Sequence, residues 1–157
     1  MLYRSYRISN RLESKKASPV TMTKRQRATV IVPTPQGILL TETHRGLILL
    51  PGGGMERGEL PIAAAVRELH EETGLVTQAI HFLYQTNSPS NTHHVFVVSD
   101  YTGTPRPLDD AKLLHYQTKD DTSEGRFPDK ASPATVEIIK TYYDMLLGTG
   151  QLDGELD

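Results

Sequence analysis

The chain has 157 residues, 37% hydrophobic and 23% charged, enough for one compact domain with a real core and too few for two. No apolar run approaches the roughly 18 residues that mark a membrane-spanning helix, and the absence of cysteine excludes a disulfide framework and fits a reducing cytoplasm, the expected location. The net charge of −2 hides an asymmetry: residues 1–27 carry eight Lys or Arg and one Glu, a balance of +7, whereas residues 28–157 carry nine against eighteen acids, a balance of −9.

Residues 1–27 are therefore expected to form a basic N-terminal extension. Their Arg- and Ser-rich, acid-poor composition superficially matches a transit peptide, and a basic arm is also suited to nucleic acid. The alternation in LYRSYRI favours a solvated extension or an added strand, one able to exchange between the subunits of a homodimer. Met22 is an alternative start, and there is no apolar stretch of the kind a secretory signal requires.

The expected domain covers residues 28–148. Strands are predicted at 28–32, at 38–42 after the Thr34-Pro35-Gln36-Gly37 turn, and at 47–50, which leads into Pro51-Gly52-Gly53-Gly54. A helix is predicted from Pro61 to Thr73. The segment has strong helix formers and no internal glycine, Pro61 suits a first position where its missing N–H is no loss, and Gly74 suits a left-handed C-terminal residue. Leu60 at the N-cap forgoes a capping hydroxyl, at a cost of about 1 kcal/mol. Beyond the helix come strands at 76–84 and 94–101, a turn-rich segment at 85–91, a short strand at 113–117 and a polar, mobile stretch at 119–130. Ser132-Pro133 opens a last helix whose apolar face carries Val136, Ile139, Tyr143 and Leu146 and which Gly148 stops, leaving residues 149–157 as a flexible acidic tail.

At about 100° per residue, placing Glu68 at zero puts Glu71 at about −60° and Glu72 at about +40°, with Ile62, Ala65, Val66 and Leu69 on an adjoining apolar stripe. Three carboxylates thus share a helix face. Like charges at these spacings destabilise a helix by about 0.2–0.5 kcal/mol per pair, and the negative end of the helix dipole adds to the penalty. A hard divalent cation would remove that repulsion, because Mg²⁺ accepts carboxylate oxygens while keeping positions for water and phosphate. Magnesium or manganese is expected over zinc, for the chain has no cysteine and its six histidines include no H-x3-H pair. The three glycines before the helix open backbone angles closed to other residues and let a ligand approach the main chain.

Residues 53–75 also fit the pattern G-x5-E-x7-R-E-U-x-E-E-x-G-U, with U aliphatic, at all nine fixed positions: Gly53, Glu59, Arg67, Glu68, Leu69, Glu71, Glu72, Gly74 and Leu75. The stretch resembles the Nudix box, and the chain is similar to the Nudix hydrolases. That resemblance implies an α/β/α sandwich with a mixed sheet, and a divalent-metal-dependent pyrophosphohydrolase that cleaves a P–O–P bond in a nucleoside diphosphate-linked substrate.

The resemblance further implies Glu68 and Glu72 as metal ligands and Glu71 as ligand or general base. It gives the Gly52 carbonyl as a further ligand, Arg67 as the fork that holds the acids, and Gly53 at the substrate. Glu59 either braces the loop or contacts water around the metal. Asp109 and Asp110 lie near the place of an acid contributed from a loop opposite the helix; Asp109 is the choice for it, with Asp120, Asp121 and Glu124 as competitors. Arg45, in the turn at 43–46, either holds a phosphate, stacks on a base or lies free in water. Of His93 and His94, one is expected to point inward by alternation, with a core or edge position as the ordinary alternative to a catalytic one. Pro89, 15 residues after Gly74, resembles the downstream proline of ADP-ribose pyrophosphatases, while the body resembles the mutator-type nucleoside triphosphate pyrophosphohydrolases, without a tryptophan to sandwich a base. A dinucleoside polyphosphate or capped RNA end is a further option. The expected partner is a small nucleotide, with neither membrane nor nucleic acid. The alternative is a catalytically weak nucleotide-sensing or RNA-binding module that uses the basic leader as its arm.

Overall fold

The computed structural model describes the backbone of residues 24–156 and side chains to Gly148; the expectations for residues 1–23 lie outside the described residues. The elements are β1 (Arg25–Ile31), β2 (Pro33–Thr34), β3 (Gly37–Thr43), β4 (Ile48–Leu49), β5 (Gly52–Gly54), α1 (Pro61–Thr73), β6 (Val76–Asn87), β7 (Asn91–Thr102), β8 (Ala111–Gln117), α2 (Lys119–Ser123) and α3 (Pro133–Leu156). The strands form two sheets. One is mixed, in the order β5-β1-β7-β6, with β1 parallel to β7 and its other neighbours antiparallel. In the other, β8 pairs antiparallel with one edge of β3 while β2 and β4 share the opposite edge.

Strand alternation sends successive side chains to opposite faces, and the core divides accordingly. Ala28, Val30, Leu39, Phe96 and Val98 meet Ala64, Ala65 and Leu69 of α1. Ile31, Ile38, Leu40 and Val95 meet Ile138 and Ile139 of α3. Helices thus cover both faces, giving the expected α/β/α arrangement. The α1 stripe is rotated from expectation: Ala64 is buried, while Ile62 and Val66 are 43% and 36% exposed. The helix packs on β1 and on the glycine strand β5, and two adjacent alanines suit a close approach to them.

Several expected boundaries move. Strand β1 begins at Arg25, so Arg25 and Arg27 lie in the sheet. Strands β6 and β7 run on to a tight hairpin in which Ser88 N–H donates to Asn91 O at 2.9 Å, which shortens the expected turn-rich segment. The stretch expected to be mobile is held: Gln117 Nε2 donates to Arg126 O at 2.7 Å, Asp121 N–H to the Thr118 hydroxyl at 3.1 Å, and Ile48 N–H to Lys130 O at 3.0 Å. The cause is local satisfaction of polar groups together with the packing of Phe127 against the core of Ile138 and Ile139, neither of which the polar composition of the stretch registers. Ser132 caps α3 as expected, accepting from Thr135 N–H at 3.1 Å. The helix continues through Gly148 to Leu156, because Gly148 keeps helical angles and does not turn left-handed. Among the described residues, no helix is long and apolar enough to cross a membrane.

Candidate active site

The site is assembled where the glycine strand passes between β1 and α1. Gly52, Gly53 and Gly54 pair with Thr29, Ala28 and Arg27. At Gly52 the backbone has φ +146°, and a Cβ there would lie 2.1 Å from the Ala28 carbonyl oxygen, so only glycine fits. At Gly53 a Cβ would lie 2.5 Å from the carboxyl carbon of Glu68. One glycine thus lets the strands meet and the next admits the helix's acid.

Helix α1 holds the expected span from Pro61 to Thr73. Leu60 provides no side-chain cap, and Gly74 at φ +77° donates its N–H to His70 O. Arg67 on this helix commits all five of its N–H groups. Its Nε and Nη2 donate to the two oxygens of Glu59 at 2.8 and 2.9 Å, and Nη2 also reaches Gly54 O at 3.2 Å. Its Nη1 donates to Glu68 Oε1 at 3.0 Å and Glu71 Oε2 at 3.2 Å. Glu59 also accepts from Glu56 N–H at 2.9 Å, fixing the loop that enters α1. Hydrogen bonds from Arg67 and then from the Glu56 backbone hold the Glu59 carboxyl down at about 2, and the Arg67 guanidinium is held above its ordinary range, chiefly by Glu59.

Beyond the fork lies a cavity of about 250 Å³ lined by Glu68, Glu72, Asp110, Arg25, Arg27 and the three glycines, among others. Glu72 Oε2 accepts from Gly52 N–H at 3.3 Å. Burial pushes the Glu72 carboxyl up to about 8; Arg27 and the Gly52 amide pull it back, while Glu68 and Asp110 add repulsion. Glu68 is raised too, by burial first, against the pull of Arg67. Two carboxylates that resist ionisation beside one another are stabilised by a cation. Among the described residues no three His, Asp or Glu side chains converge to hold an ion by themselves. A cation here would complete its shell from main-chain oxygen, water and substrate phosphate, which suits the all-oxygen chemistry of Mg²⁺ or Mn²⁺. The donor set fits such an ion.

Among the residues singled out from sequence, Glu68, Glu72, Gly52 and Gly53 come together in this cavity. Glu71 and Glu59 are drawn to Arg67 on the other side of the fork, and neither lines the cavity. From the loop opposite, Asp110 lines the wall. Asp109 does not: it sits at φ +53°, and its carbonyl accepts from His44 Nε2 at 3.4 Å. Arg45 is exposed in its turn and outside the cavity lining. Asp121 and Glu124 pair with Arg126. Arg25, Arg27, Thr41 and Thr43 are not singled out by the sequence, and of the adjacent acids it offers, the one passed over, Asp110, is the one at the cavity; the alternation Arg25-Gln26-Arg27 leading into an apolar strand is the available signal for the two arginines.

The inward histidine is His93. It is buried, with Nδ1 2.9 Å from the Thr29 hydroxyl and Nε2 3.2 Å from that of Ser88, while His94 Nε2 meets Gln26 Oε1 at 2.7 Å. Burial, then Arg27, lowers the pKa of His93. His93 also lines a second cavity, of about 330 Å³, with Tyr84, Asn87, Pro89, Glu137 and Thr141. Because Arg27 is the register partner of His93, the two cavities flank the same rung of the β1–β7 ladder.

The family model for the NUDIX domain matches residues 23–129. A comparison with curated proteins returns no significant match. Among solved structures, the chain is similar to a Nudix hydrolase family member from Chromobacterium violaceum, at 26% identity over 88% of this chain and 98% of that one, with a TM-score of 0.68. A MutT Nudix hydrolase from Burkholderia pseudomallei shares the fold, at 21% identity over 73% and 94% of the two chains and a TM-score of 0.64. So does a MutT/Nudix family protein from Enterococcus faecalis, at 17% identity over 88% and 68% and a TM-score of 0.67. With its family model spanning most of the sequence and its box acids set over a glycine strand, the chain belongs to the Nudix family of hydrolases, which act on pyrophosphate bonds.

Proposed function

We propose that the protein is a divalent-metal-dependent pyrophosphohydrolase that cleaves a P–O–P bond in a small nucleoside diphosphate-linked substrate, of the nucleoside triphosphate or ADP-ribose kind. The observation that carries this reading is the shared cavity in which Glu68 and Glu72 face Arg25 and Arg27 across a strand with no side chains. Such a cavity offers both the acids that attract a hard cation and the cations that attract a phosphate.

When bound, Mg²⁺ or Mn²⁺ would neutralise the diphosphate and help align water with the bond to be broken. Glu68 and Glu72 are the residues to hold it, with the Gly52 carbonyl available from the strand beneath. Arg67 is a positioning residue that fixes the Glu68 carboxylate while Glu59 fixes Arg67, so the acids enter the reaction with little reorganisation. Asp110 faces Glu72 from the opposite wall and is the candidate to take the proton from the attacking water. Water adds to one phosphorus, the bridging P–O bond breaks, and the two fragments leave as phosphates. The nucleoside is assigned to the neighbouring cavity, where Tyr84 supplies a ring and Asn87, His93 and Thr141 supply hydrogen-bonding groups.

The test is product release from ADP-ribose, normal and oxidised nucleoside triphosphates, dinucleoside polyphosphates and nucleotide sugars, each with Mg²⁺, Mn²⁺ or EDTA. Cleavage of one class that EDTA abolishes is the expected result. Absence of cleavage throughout, with nucleotide binding retained, would overturn it in favour of a sensing module.

A further inference from the structure

Among the described residues, one sheet edge is far less protected than the others. An open strand edge is a row of unpaired N–H and C=O groups that a second chain can join, and proteins blunt it by shortness, charge, proline, bulges or a cover. Strands β2 and β4 are two residues long, β8 carries Lys112, and β5 is covered by α1 with the Glu68 carboxylate against it. Strand β6 ends the mixed sheet and, among the described residues, pairs with β7 alone. It is 12 residues long, with no Lys, Arg, Asp, Glu or Pro between Val76 and Asn87. Bulges in its pairing with β7 add twist and are its one protection.

Apolar side chains flank this edge on both faces of the sheet. On the face that carries α1, Phe82 is 55% exposed and lies edge-on to the buried Phe96. On the face that carries α3, a groove of about 450 Å³ runs between β6 and the helix, lined by Leu83, Val97, Tyr142, Met145 and Leu146 among others and by no charged residue. Met145 and Leu146 are themselves 43% and 47% exposed. Apolar side chains gathered around an open edge mark an interaction surface. Charge selects the partner. Residues 28–157 carry a balance of −9, so two copies repel where their acidic surfaces meet. Strand β6 and its groove meet a second copy of themselves without that repulsion, and they offer nothing to attract a charged partner.

We propose that β6 is the interface of a homodimer, in which the edge strands of two copies pair antiparallel about a two-fold axis perpendicular to the sheet. Such an axis satisfies both edges at once and keeps the two α3 helices on the same face. Phe82 of each copy then meets its counterpart beneath the seam, and Leu83, Met145 and Leu146 of both copies close over it. The 12 residues of β6 and the seven others that line the groove approach the about 20 residues a side of a standard interface. The inference stands apart from the hydrolase reading and does not depend on it.

The test is sedimentation velocity of the full chain at concentrations from about 1 µM to about 100 µM, with hydrogen exchange read along β6. The expected species has twice the 17.5 kDa mass of the chain, and protection extends to the alternate β6 amides that do not donate to β7. Gln85→Lys places a charge at an exposed position of the strand, and Leu146→Glu places one in the groove. Each should raise the dimer dissociation constant about tenfold or more, with the fold checked by circular dichroism. Leu113→Lys, a comparable change at a 46% exposed position on the edge strand β8, should leave the dimer intact. A monomer throughout the range overturns the proposal, as does a dimer that neither Gln85→Lys nor Leu146→Glu weakens. Dissociation by Leu113→Lys alone also overturns it and moves the interface to β8.

Discussion

The carboxylate of Glu68 occupies the space in which a side chain at Gly53 would begin, with both of its oxygens and its carboxyl carbon within 2.7 Å of the missing Cβ. Helix and strand can bring an acid onto the main chain only because residue 53 has no side chain. Gly53→Ala is therefore expected to fold, because the clash falls on the end of a flexible side chain, and to push the Glu68 carboxylate out of place. A displacement on the scale of an ångström lowers kcat/KM by about a hundredfold. The neighbouring Gly52→Ala behaves oppositely. Its Cβ would strike the Ala28 carbonyl at 2.1 Å, and its φ is +146°, so stability falls by about 3 kcal/mol or more. Urea unfolding and turnover measured on both variants check this; equal loss of stability in the two would refute the distinction.

Arg67→Lys tests the fork. Lysine keeps the charge but offers a compact ammonium in place of five planar donors, so it cannot span Glu59, Gly54, Glu68 and Glu71 together. Each lost charge-assisted bond is worth about 1.5–3 kcal/mol in a well-buried setting and less where water reaches it. The expected result is a fall in kcat of about tenfold to a hundredfold with KM little changed, because the residue positions the acids rather than touching substrate. A variant with normal kcat and raised KM would place Arg67 against the substrate instead.

The sequence made the site's core legible because a helix repeats. Spacing put Glu68 and Glu72 on one side of α1, and glycine composition pointed to a close approach at residues 52–54. Spacing could not show that Glu71 would be turned aside to Arg67, nor that Ile62 and Val66 would stay partly exposed, since both depend on which neighbour the helix meets. Asp110 was passed over for its neighbour Asp109 because loop sequence does not show which of two adjacent acids lines a cavity. Arg25 and Arg27 read as the end of a basic leader; their alternation hints at a strand, but the pairing of β1 with β5 and β7 is what sets them at the cavity.

The acid limb of the stability curve should belong in part to Glu59. Its carboxyl is held at about 2 in the fold against an ordinary 4.5, so the native state keeps it ionised where the unfolded chain takes up a proton. The stabilisation is complete above pH 4.5 and is lost as pH falls from there through about 2. Glu59→Gln should be less stable than the unaltered protein at neutral pH and should show a shallower loss across that window. Denaturant midpoints measured from neutral pH down to pH 2 decide it, and parallel curves would rule the linkage out.

Asp109 and Asp110 give a paired comparison on adjacent residues. Asn tolerates the left-handed backbone that Asp109 adopts, so Asp109→Asn should leave both stability and turnover within about twofold. Asp110 faces Glu72 across the cavity, and Asp110→Asn removes a charge from the reacting space, for an expected loss of about tenfold to a thousandfold in kcat. The reverse ranking would return the opposing acid to Asp109.

Glu68→Gln and Glu72→Gln should separate activity from stability. Both substitutions keep the shape of the side chain and replace a carboxyl whose ionised form burial disfavours, most strongly at Glu72, whose carboxyl is pushed up to about 8. With EDTA present, Glu72→Gln is therefore expected to melt no lower than the unaltered protein, since an amide costs less to bury than a carboxylate. With Mg²⁺ present the order should invert: the unaltered protein gains stability from the cation by mass action and the variant does not. Turnover should fall by about three orders of magnitude or more in either variant, because cation and substrate then lose a shared oxygen donor. Melting curves in EDTA and in Mg²⁺, read beside turnover, give a sharp test. A Glu72→Gln protein that melts lower in EDTA would make the carboxylate a structural anchor of the Gly52 strand, and one with near-normal turnover would remove it from the metal site.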